Sequence, residues 1–384
     1  MAHRQEQEAA DPNVTEVAPN VLRMQLPIRM PGLGHVNMYA LLDKNGATVI
    51  DPGLPGPFTW RAIQHRLRQA DLKPKDIHTV VVTHSHPDHF GGARRFVKEH
   101  GATVVGHKSF RFGLAKAIVE QQPEISLNDL EAQQASAPDT DEGGVDLSDG
   151  HGHNHHHGHG HSHDHGESSD MGWWGGPSPW GGQQPRLPLG RRLLFRVMRA
   201  LGGNMLVPEI THPVSQGDCL KLADREMFVV HTPGHTPDHF CLHDPEAGVF
   251  FAGDHVLPTI TPHISGISSG EDPLLAFFDS LDKVAQIAAI NQVLPAHGHP
   301  FKDLQARTDA IKRHHFERLE KIRDISRDYG RPASVQEFSQ HLFRRRSWGS
   351  MAESETYAHL EHLRLAGQAI SHRDKRDLLL YETD

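Results

Sequence analysis

The feature that most constrains the fold is a buried strand that runs directly into a loop crowded with metal-binding side chains. The β-branched run at 79–83 predicts a strand covered on both faces. The next six residues include four potential ligands, His84, His86, Asp88 and His89. Four such side chains cannot all face a hydrophobic core. We therefore predict a strand-end loop whose first two imidazoles converge on one ion, while Asp88 and His89 face a second site.

Three further polar residues follow predicted strands in the same way. His235 comes after the apolar run at 227–230, Asp254 follows the run at 248–252, and His297 follows the run at 292–294. Imidazole nitrogen and carboxylate oxygen are the donors that zinc prefers alongside thiolate. These three strand ends therefore supply the ligands that the first loop lacks.

Strand and helix signals alternate around the first of these loops. Apolar runs at 47–50, 79–83 and 103–105 predict strands, and helical spacing at 60–70 and 93–100 predicts the helices between them. This alternation predicts sheet layers covered by helices. A further helix is predicted at 277–289. The polar lead-in at 1–15 predicts a disordered N-terminus.

A polar insert interrupts this pattern. Residues 137–185 are rich in Gly, His, Ser, Asp and Pro, without apolar periodicity, and this composition predicts disorder. Nine of the 33 histidines lie between positions 151 and 165. The run is either a tolerated solvated loop or a flexible metal chelator. Residues 187–201 predict a basic amphipathic helix, packed on the main domain or, alternatively, attached to a membrane surface.

The C-terminal part changes to a helical pattern. Helices are predicted at 303–328, 334–343 and 354–365, followed by a two-stranded ribbon at 369–373 and 378–381. Three helices and a ribbon in about 80 residues are typical of a winged-helix domain, predicted here at 301–384. Residues 302–384 carry 16 basic and 14 acidic side chains, a balance of only +2. This balance favours packing or homodimer formation over nucleic-acid binding.

Composition excludes several classes of protein. The 384 residues fit one large domain and a small one. Two cysteines exclude a disulfide scaffold, and no apolar run reaches the roughly 18–20 residues of a membrane span. The formal net charge of −9 argues against a general grip on nucleic acid. The polar N-terminus is unlike a signal peptide, so we expect a cytoplasmic protein.

The pattern THSHPDH, followed by TPGHT, GD and AHG, resembles the metallo-β-lactamase superfamily. The resemblance implies an α+β protein whose residues 16–300 form an αββα sandwich with a binuclear metal site. It also implies the ligands: His84, His86 and His235 on one ion, Asp88, His89 and His297 on the other, and Asp254 between them. Asp51, in Asp-Pro-Gly, would orient the metal loop. Two Zn²⁺ ions are expected, and iron or manganese would accept the same donors.

The resemblance also implies a reaction, in which a metal-bridging hydroxide attacks an electrophilic carbonyl or phosphoryl centre. Asp88 would orient the nucleophile, and His263, in the loop after Asp254, is the candidate acid or substrate contact. Among substrates we favour small-molecule acyl thioesters or related esters and lactones. The alternatives are a single-strand endoribonuclease and a non-enzymatic metal-handling or DNA-binding regulator.

Overall fold

The computed structural model describes residues 3–30, 32–112, 178–181, 207–267 and 270–383. The histidine run at 151–165 and the predicted helix at 187–201 lie outside these ranges. None of the helices in the described ranges combines the length and the apolar character that a bilayer span requires.

Two large sheets and one small sheet form the β-structure. The first sheet has seven strands in sequential order: β1 (Val14–Ala18), β2 (Val21–Met30), β3 (Leu33–Asp43), β4 (Gly46–Ile50), β5 (Ile77–Val82), β6 (Thr103–His107) and β7 (His212–Val214). The second sheet has five strands in the order β12-β11-β10-β9-β8: β8 (Cys219–Leu222), β9 (Arg225–His231), β10 (Phe240–Asp244), β11 (Val249–Gly253) and β12 (Gln292–Pro295). A small third sheet contains β13 (Ala333–Ser334), β14 (Ala369–Arg373) and β15 (Leu379–Thr383).

Helices cover the outer faces of both large sheets. In chain order, the α-helices of the described residues are α1 (Pro57–Gln69), α2 (Pro87–Phe90), α3 (Ala93–His100), α4 (Pro273–Ala285), α5 (Leu304–Tyr329), α6 (Val335–Leu342) and α7 (Ser350–Leu365). The predicted helix at 93–100 is confirmed. The predicted helix at 277–289 is displaced by four residues, because Asp272 accepts a hydrogen bond from the Leu275 backbone N–H (2.9 Å) and caps a helix that begins at Pro273.

Strand β5 shows how the layers are built. Val81 packs between the two large sheets, whereas Val80 and Val82 pack under the helices on the outer face. Successive side chains of a strand point to opposite faces, so a continuous apolar run fills two cores at once. A third core lies beyond the second sheet, under α4, α5 and α7. The order of layers is helix, sheet, sheet, helix, as predicted.

The N-terminal lead-in is ordered from residue 3, so the prediction of disorder over 1–15 is wrong for the described part. Residues Gln5–Gln7 form a 3₁₀-helix, and β1 begins at Val14. The Glu6 carboxylate is fully buried and accepts hydrogen bonds from the backbone N–H groups of Thr259 (2.7 Å) and Ile260 (3.1 Å). Partners more than 250 positions away hold this polar segment in place, and local composition gives no sign of them.

The prediction of a disordered insert is wrong at 178–181. Trp180 is buried in the third core, and its indole N–H donates to the Glu353 carboxylate (3.1 Å). Its carbonyl accepts a hydrogen bond from the backbone N–H of Leu379 (3.0 Å). A single large aromatic side chain buries enough apolar area to hold a short stretch of polar chain.

The C-terminal helices follow the prediction closely, with α7 starting four residues earlier, at Ser350. The predicted ribbon is part of a three-stranded sheet, because β13 pairs with β15 through Ala333 and Ser334. Two-residue strands carry too little sequence pattern to be predicted. Residues of α5, α6 and α7 share one hydrophobic core with the second sheet.

Candidate metal centre

The candidate ligands lie in the segments that follow the carboxyl ends of four strands, and Asp88 and His89 stand on the short helix α2 in the first of these segments. Strands β9, β11 and β12 run in the same direction in the second sheet, because β10 is antiparallel to both β9 and β11, and β12 is parallel to β11. Their ends therefore meet at one edge, where His235, Asp254 and His297 lie. Strand β5 of the first sheet ends at the same edge and leads into the loop that carries His84.

Four side chains form the first ligand group: His84, His86, His235 and Asp254. His86 Nδ1 lies 3.0 Å from His84 Nε2 and 3.1 Å from His235 Nε2. The nearer Asp254 oxygen lies 3.5 Å from His235 Nε2 and 3.9 Å from His84 Nε2. Three imidazoles and a carboxylate thus direct one ligand atom each toward a common point.

Three side chains form the second group: Asp88, His89 and His297. Asp88 Oδ2 lies 3.6 Å from the Nε2 atoms of both His89 and His297. Asp254 stands between the groups, with Oδ2 at 3.5 Å from His89 Nε2 and Oδ1 at 3.3 Å from His297 Nε2. Its two oxygens can therefore serve both groups.

The ring nitrogens on the far side of the ligands have their own partners. His89 Nδ1 donates to Asp51 Oδ2 (2.9 Å), and Asp51 also accepts from the Thr83 backbone N–H and hydroxyl. His235 Nδ1 donates to the His263 carbonyl (2.7 Å), and His297 Nδ1 donates to the His35 carbonyl (2.6 Å). These hydrogen bonds fix the tautomers so that Nε2 faces the centre.

The donor set fits divalent metal ions. His89 Nε2, His297 Nε2 and Asp254 Oδ1 are buried and have no hydrogen-bond partner. Buried polar atoms are rarely left without a partner, so three at one point are what a cation-binding site requires. Burial opposes ionisation of Asp254, but the positive charges of His297 and His89 outweigh it and hold the pKa of the carboxyl well below its ordinary value. An ionised carboxylate is the form that binds metal.

Burial and the charges of nearby carboxylates shift the pKa values of the histidines in the two groups. Burial lowers the pKa of His84 and His86 well below the ordinary value, so both imidazoles are neutral and free to bind a cation. For His89 burial also acts to lower the pKa, but the charges of Asp254 and Asp88 raise it well above the ordinary value. These two carboxylates favour positive charge at this point, which a divalent ion would supply.

The other histidines near the centre belong to neither ligand group. His263 lies beside the centre, and its Nδ1 contacts a Glu355 carboxylate oxygen at 3.3 Å. His239 Nε2 accepts a hydrogen bond from the Asp254 backbone N–H (3.0 Å) and positions that residue. Three others remain outside the groups found in the described residues: His231, His255 and His299.

Some contributors were not predicted from the sequence. The Ser85 hydroxyl donates to Asp238 Oδ1 (3.0 Å) and links the metal loop to the loop after β9. Burial raises the pKa of Asp238 to about 6. Thr83 supports Asp51, and Glu355 contacts His263 from helix α7. No motif marks Asp238 or Glu355, whereas Thr83 could have been found from its place between strand and loop.

Several curated proteins are similar to parts of the chain. A hydroxyacylglutathione hydrolase of Hydrogenovibrio crunogenus is 40% identical over 68 residues, which are 16% of this chain and 25% of that protein. The acyl-coenzyme A thioesterase MBLAC2 of Gallus gallus is 31% identical over 88 residues, 23% of this chain and 31% of that one. The chain thus spans between a quarter and a third of the length of these relatives.

The fold and the family are shown by longer matches. The crystal structure of a beta-lactamase domain protein from Burkholderia ambifaria aligns with a TM-score of 0.67 and 23% identity, covering 98% of this chain and 95% of that one. The family model described as the metallo-beta-lactamase superfamily matches residues 31–169 and 171–329, more than half of the chain. The predicted family is therefore confirmed: the chain belongs to the metallo-beta-lactamase superfamily.

Proposed function

We propose that the protein is a hydrolase that depends on two divalent metal ions, with zinc as the first choice, and that it acts on acyl thioesters or related small esters and lactones. The observation that carries the proposal is the pair of buried ligand groups that meet at Asp254. Their imidazole and carboxylate donors suit zinc, and iron or manganese would accept the same atoms.

The chain's own residues have separate roles in the proposed reaction. Two ions bound here would lower the pKa of a shared water and stabilise the oxyanion formed at an acyl carbonyl. Asp254 holds the two ligand groups together, and Asp88 orients the attacking water through its carboxylate. His263 Nε2 is the nitrogen of that ring without a protein partner, and in the proposed reaction it would contact the leaving group. A thiolate leaves unaided, whereas an alkoxide benefits from a donated proton.

Two similar proteins support the choice of substrate. The matched segment of the Gallus gallus protein belongs to an acyl-coenzyme A thioesterase, and that of the Hydrogenovibrio crunogenus protein to a hydroxyacylglutathione hydrolase. Both names describe thioester hydrolysis.

We also propose that residues 301–384 form a winged-helix-like domain, and that a homodimer would form through it. The order helix, short strand, two helices and two strands supports the assignment. Arg344, Arg345 and Arg346 are exposed, but acidic residues balance the charge of the region. A nucleic-acid partner is therefore not favoured.

A substrate panel tests the proposed function. We expect zinc-loaded protein to release free thiol from acyl thioesters, and chelation to abolish the release. His84→Ala should lose the activity and retain the fold by circular dichroism, because it removes one ligand from a site that is otherwise intact. The matched control is His78→Ala, a half-exposed histidine on β5 paired with Asp43, which should retain full activity.

The controls separate the alternatives. Metal content is counted on a variant lacking residues 145–170, since the histidine run would add weakly bound ions, and we expect about two per chain. One ion in fully active protein contradicts the binuclear site. Cleavage of short RNA that is lost when residues 344–346 become Glu, with thioesters and lactones inert, favours the endoribonuclease. Metal bound without turnover of any substrate favours the regulator.

A further inference from the structure

The loop after Asp254, residues 255–267, is held by helices of the C-terminal region. The Arg307 guanidinium on α5 donates to the carbonyls of Leu257 (2.6 Å) and Ile260 (2.7 Å). The backbone N–H of Gly266 donates to the Ser354 carbonyl on α7 (3.3 Å). A Cβ atom at Gly266 would lie 2.6 Å from the Tyr357 ring, so helix and loop are in close contact. The helices therefore determine where this loop stands beside the metal centre.

Glu355, on α7, contacts the side chain of His263 in this loop. Its side chain is only 12% exposed and lies between two partners. One carboxylate oxygen accepts from the Arg318 guanidinium, and the other lies 3.3 Å from His263 Nδ1. A carboxylate can only accept, so His263 Nδ1 carries the proton of this contact. The Arg318 charge compensates Glu355, which keeps a buried carboxylate in place.

His263 is thereby held at two points. Its carbonyl accepts from Nδ1 of His235, a member of the first ligand group, and its ring is held by Glu355. The remaining polar atom, Nε2, is buried and has no protein partner. Polar atoms in this condition are uncommon, and near a reactive centre they indicate a ligand contact.

We propose that Glu355 is a positioning residue that acts through His263, so that helix α7 completes the active site by directing His263 Nε2 toward the leaving group of the substrate. In that role Nε2 gives a proton to the leaving alkoxide of an oxygen ester, and the proton that the attacking water loses returns to Nε2, while Nδ1–H stays on Glu355. This inference rests on the proposed hydrolase function. It assigns to the C-terminal region a part in the reaction in addition to packing. The alternative is that Glu355 only joins α7 to the loop.

A double-mutant experiment distinguishes the two roles. We compare Glu355→Gln, His263→Gln and the double variant, with Glu353→Gln as the matched control because Glu353 lies on the same helix and contacts Trp180 instead. If Glu355 acts through His263, Glu355→Gln lowers kcat about 10- to 100-fold with little change in KM. The double variant is then no slower than His263→Gln, and oxygen esters lose more than thioesters. The proposal is overturned if the effects of the two single variants multiply in the double variant, or if oxygen esters and thioesters lose the same amount of activity.

A second readout does not depend on activity. Carbethoxylation of His263, followed by peptide mass spectrometry on metal-free protein, reports whether the ring is held. In Glu355→Gln, carbethoxylation of His263 should be about 2- to 10-fold faster than in the wild-type protein, the range expected for the loss of one hydrogen bond. An unchanged rate overturns the proposal. If wild-type protein hydrolyses no ester, the hydrolase function fails, and this rate still decides whether Glu355 holds His263.

Folding of the variants is checked by thermal unfolding. If Glu355→Gln does not fold, Glu355→Asp takes its place in both measurements. The shorter side chain keeps the charge that compensates Arg318 and withdraws the carboxylate from His263. Wild-type kinetics and an unchanged modification rate in Glu355→Asp then overturn the proposal, and a slower kcat with faster modification supports it.

Discussion

Asp51 lies where β4 ends and carries a positive φ of 54°, a conformation that few residues other than glycine adopt. The turn brings its carboxylate against three donors, the ring of His89 and the backbone and hydroxyl of Thr83. The side chain is almost fully buried. A single residue outside both ligand groups therefore holds the metal loop in place through hydrogen bonds to His89 and Thr83. These bonds also compensate the local backbone strain.

Replacement of Asp51 tests this support. We expect Asp51→Ala to weaken zinc binding or activity about 10- to 100-fold, because the His89 ring loses the partner that fixes its tautomer. Zinc affinity measured by competition with a chelating dye gives the result. Asp43→Ala is the matched control, since that carboxylate contacts His78 at 2.8 Å far from the ligand groups. Equal losses in both variants would contradict a specific role for Asp51.

At the scale of elements, the N-terminal segment and the loop after Asp254 stabilise each other. Glu6 accepts from two backbone N–H groups of that loop and from the Thr259 hydroxyl. Nearby, Gln5 accepts from the His299 backbone N–H (3.1 Å), two residues after the candidate ligand His297. A segment without periodicity thus connects two of the loops that carry the candidate metal ligands.

Loss of the Glu6 carboxylate should be costly. We expect Glu6→Ala to lower the free energy of unfolding by about 2–3 kcal/mol, because buried donors lose a charged acceptor. Urea denaturation of metal-free protein measures the effect without the contribution of bound ions. Glu16→Ala is the control, since the exposed Glu16 makes one hydrogen bond, to Asn20, and should cost far less. A Glu6 effect as small as that of Glu16 would show that the contact is unimportant.

At the scale of the whole molecule, buried histidines couple stability to pH. His359 on α7 is 1% exposed, its Nδ1 donates to the Glu355 carbonyl (2.7 Å), and its Nε2 lies 3.0 Å from His315 Nδ1 on α5. Burial lowers the pKa of His359 from 6.5 to about 4, and the Glu355 charge only partly opposes this shift. Between these two values the unfolded chain binds a proton that the folded chain does not. Stability therefore falls as the pH falls through this window.

The size of this effect can be isolated. Each pH unit in the window changes the contribution of one such group to the free energy of unfolding by about 1.4 kcal/mol. His359 should therefore lower the free energy of unfolding by about 2 kcal/mol at pH 5 relative to pH 7. We expect His359→Gln to reduce the loss of unfolding free energy between pH 7 and pH 5 by that amount. Urea titrations at both pH values give the difference. The exposed His372→Gln should leave the loss unchanged, and an equal loss in His359→Gln would contradict the assignment.

The sequence by itself determined the layers, the family and the ligand loop. Four candidate ligands within six positions, directly after a continuous apolar run, are confined to one place, because a short loop leaves little freedom after a buried strand. Helices α3 and α5 were predictable for a related reason, since helical periodicity is a local property. The first residue of a helix differed from the prediction where a capping side chain determines it, as Asp272 does for α4.

Only the tertiary structure decided which distant polar groups meet. Glu6 and Thr259 are 253 positions apart, Trp180 and Glu353 are 173 apart, and His263 and Glu355 are 92 apart. A glutamate in a polar segment or on an amphipathic helix has the same local pattern whether it is solvated or buried. Its partner is selected by the packing of whole layers, which brings remote loops together at one sheet edge. For that reason the sequence indicated the candidate ligands, and the fold alone showed which distant groups hold them in place.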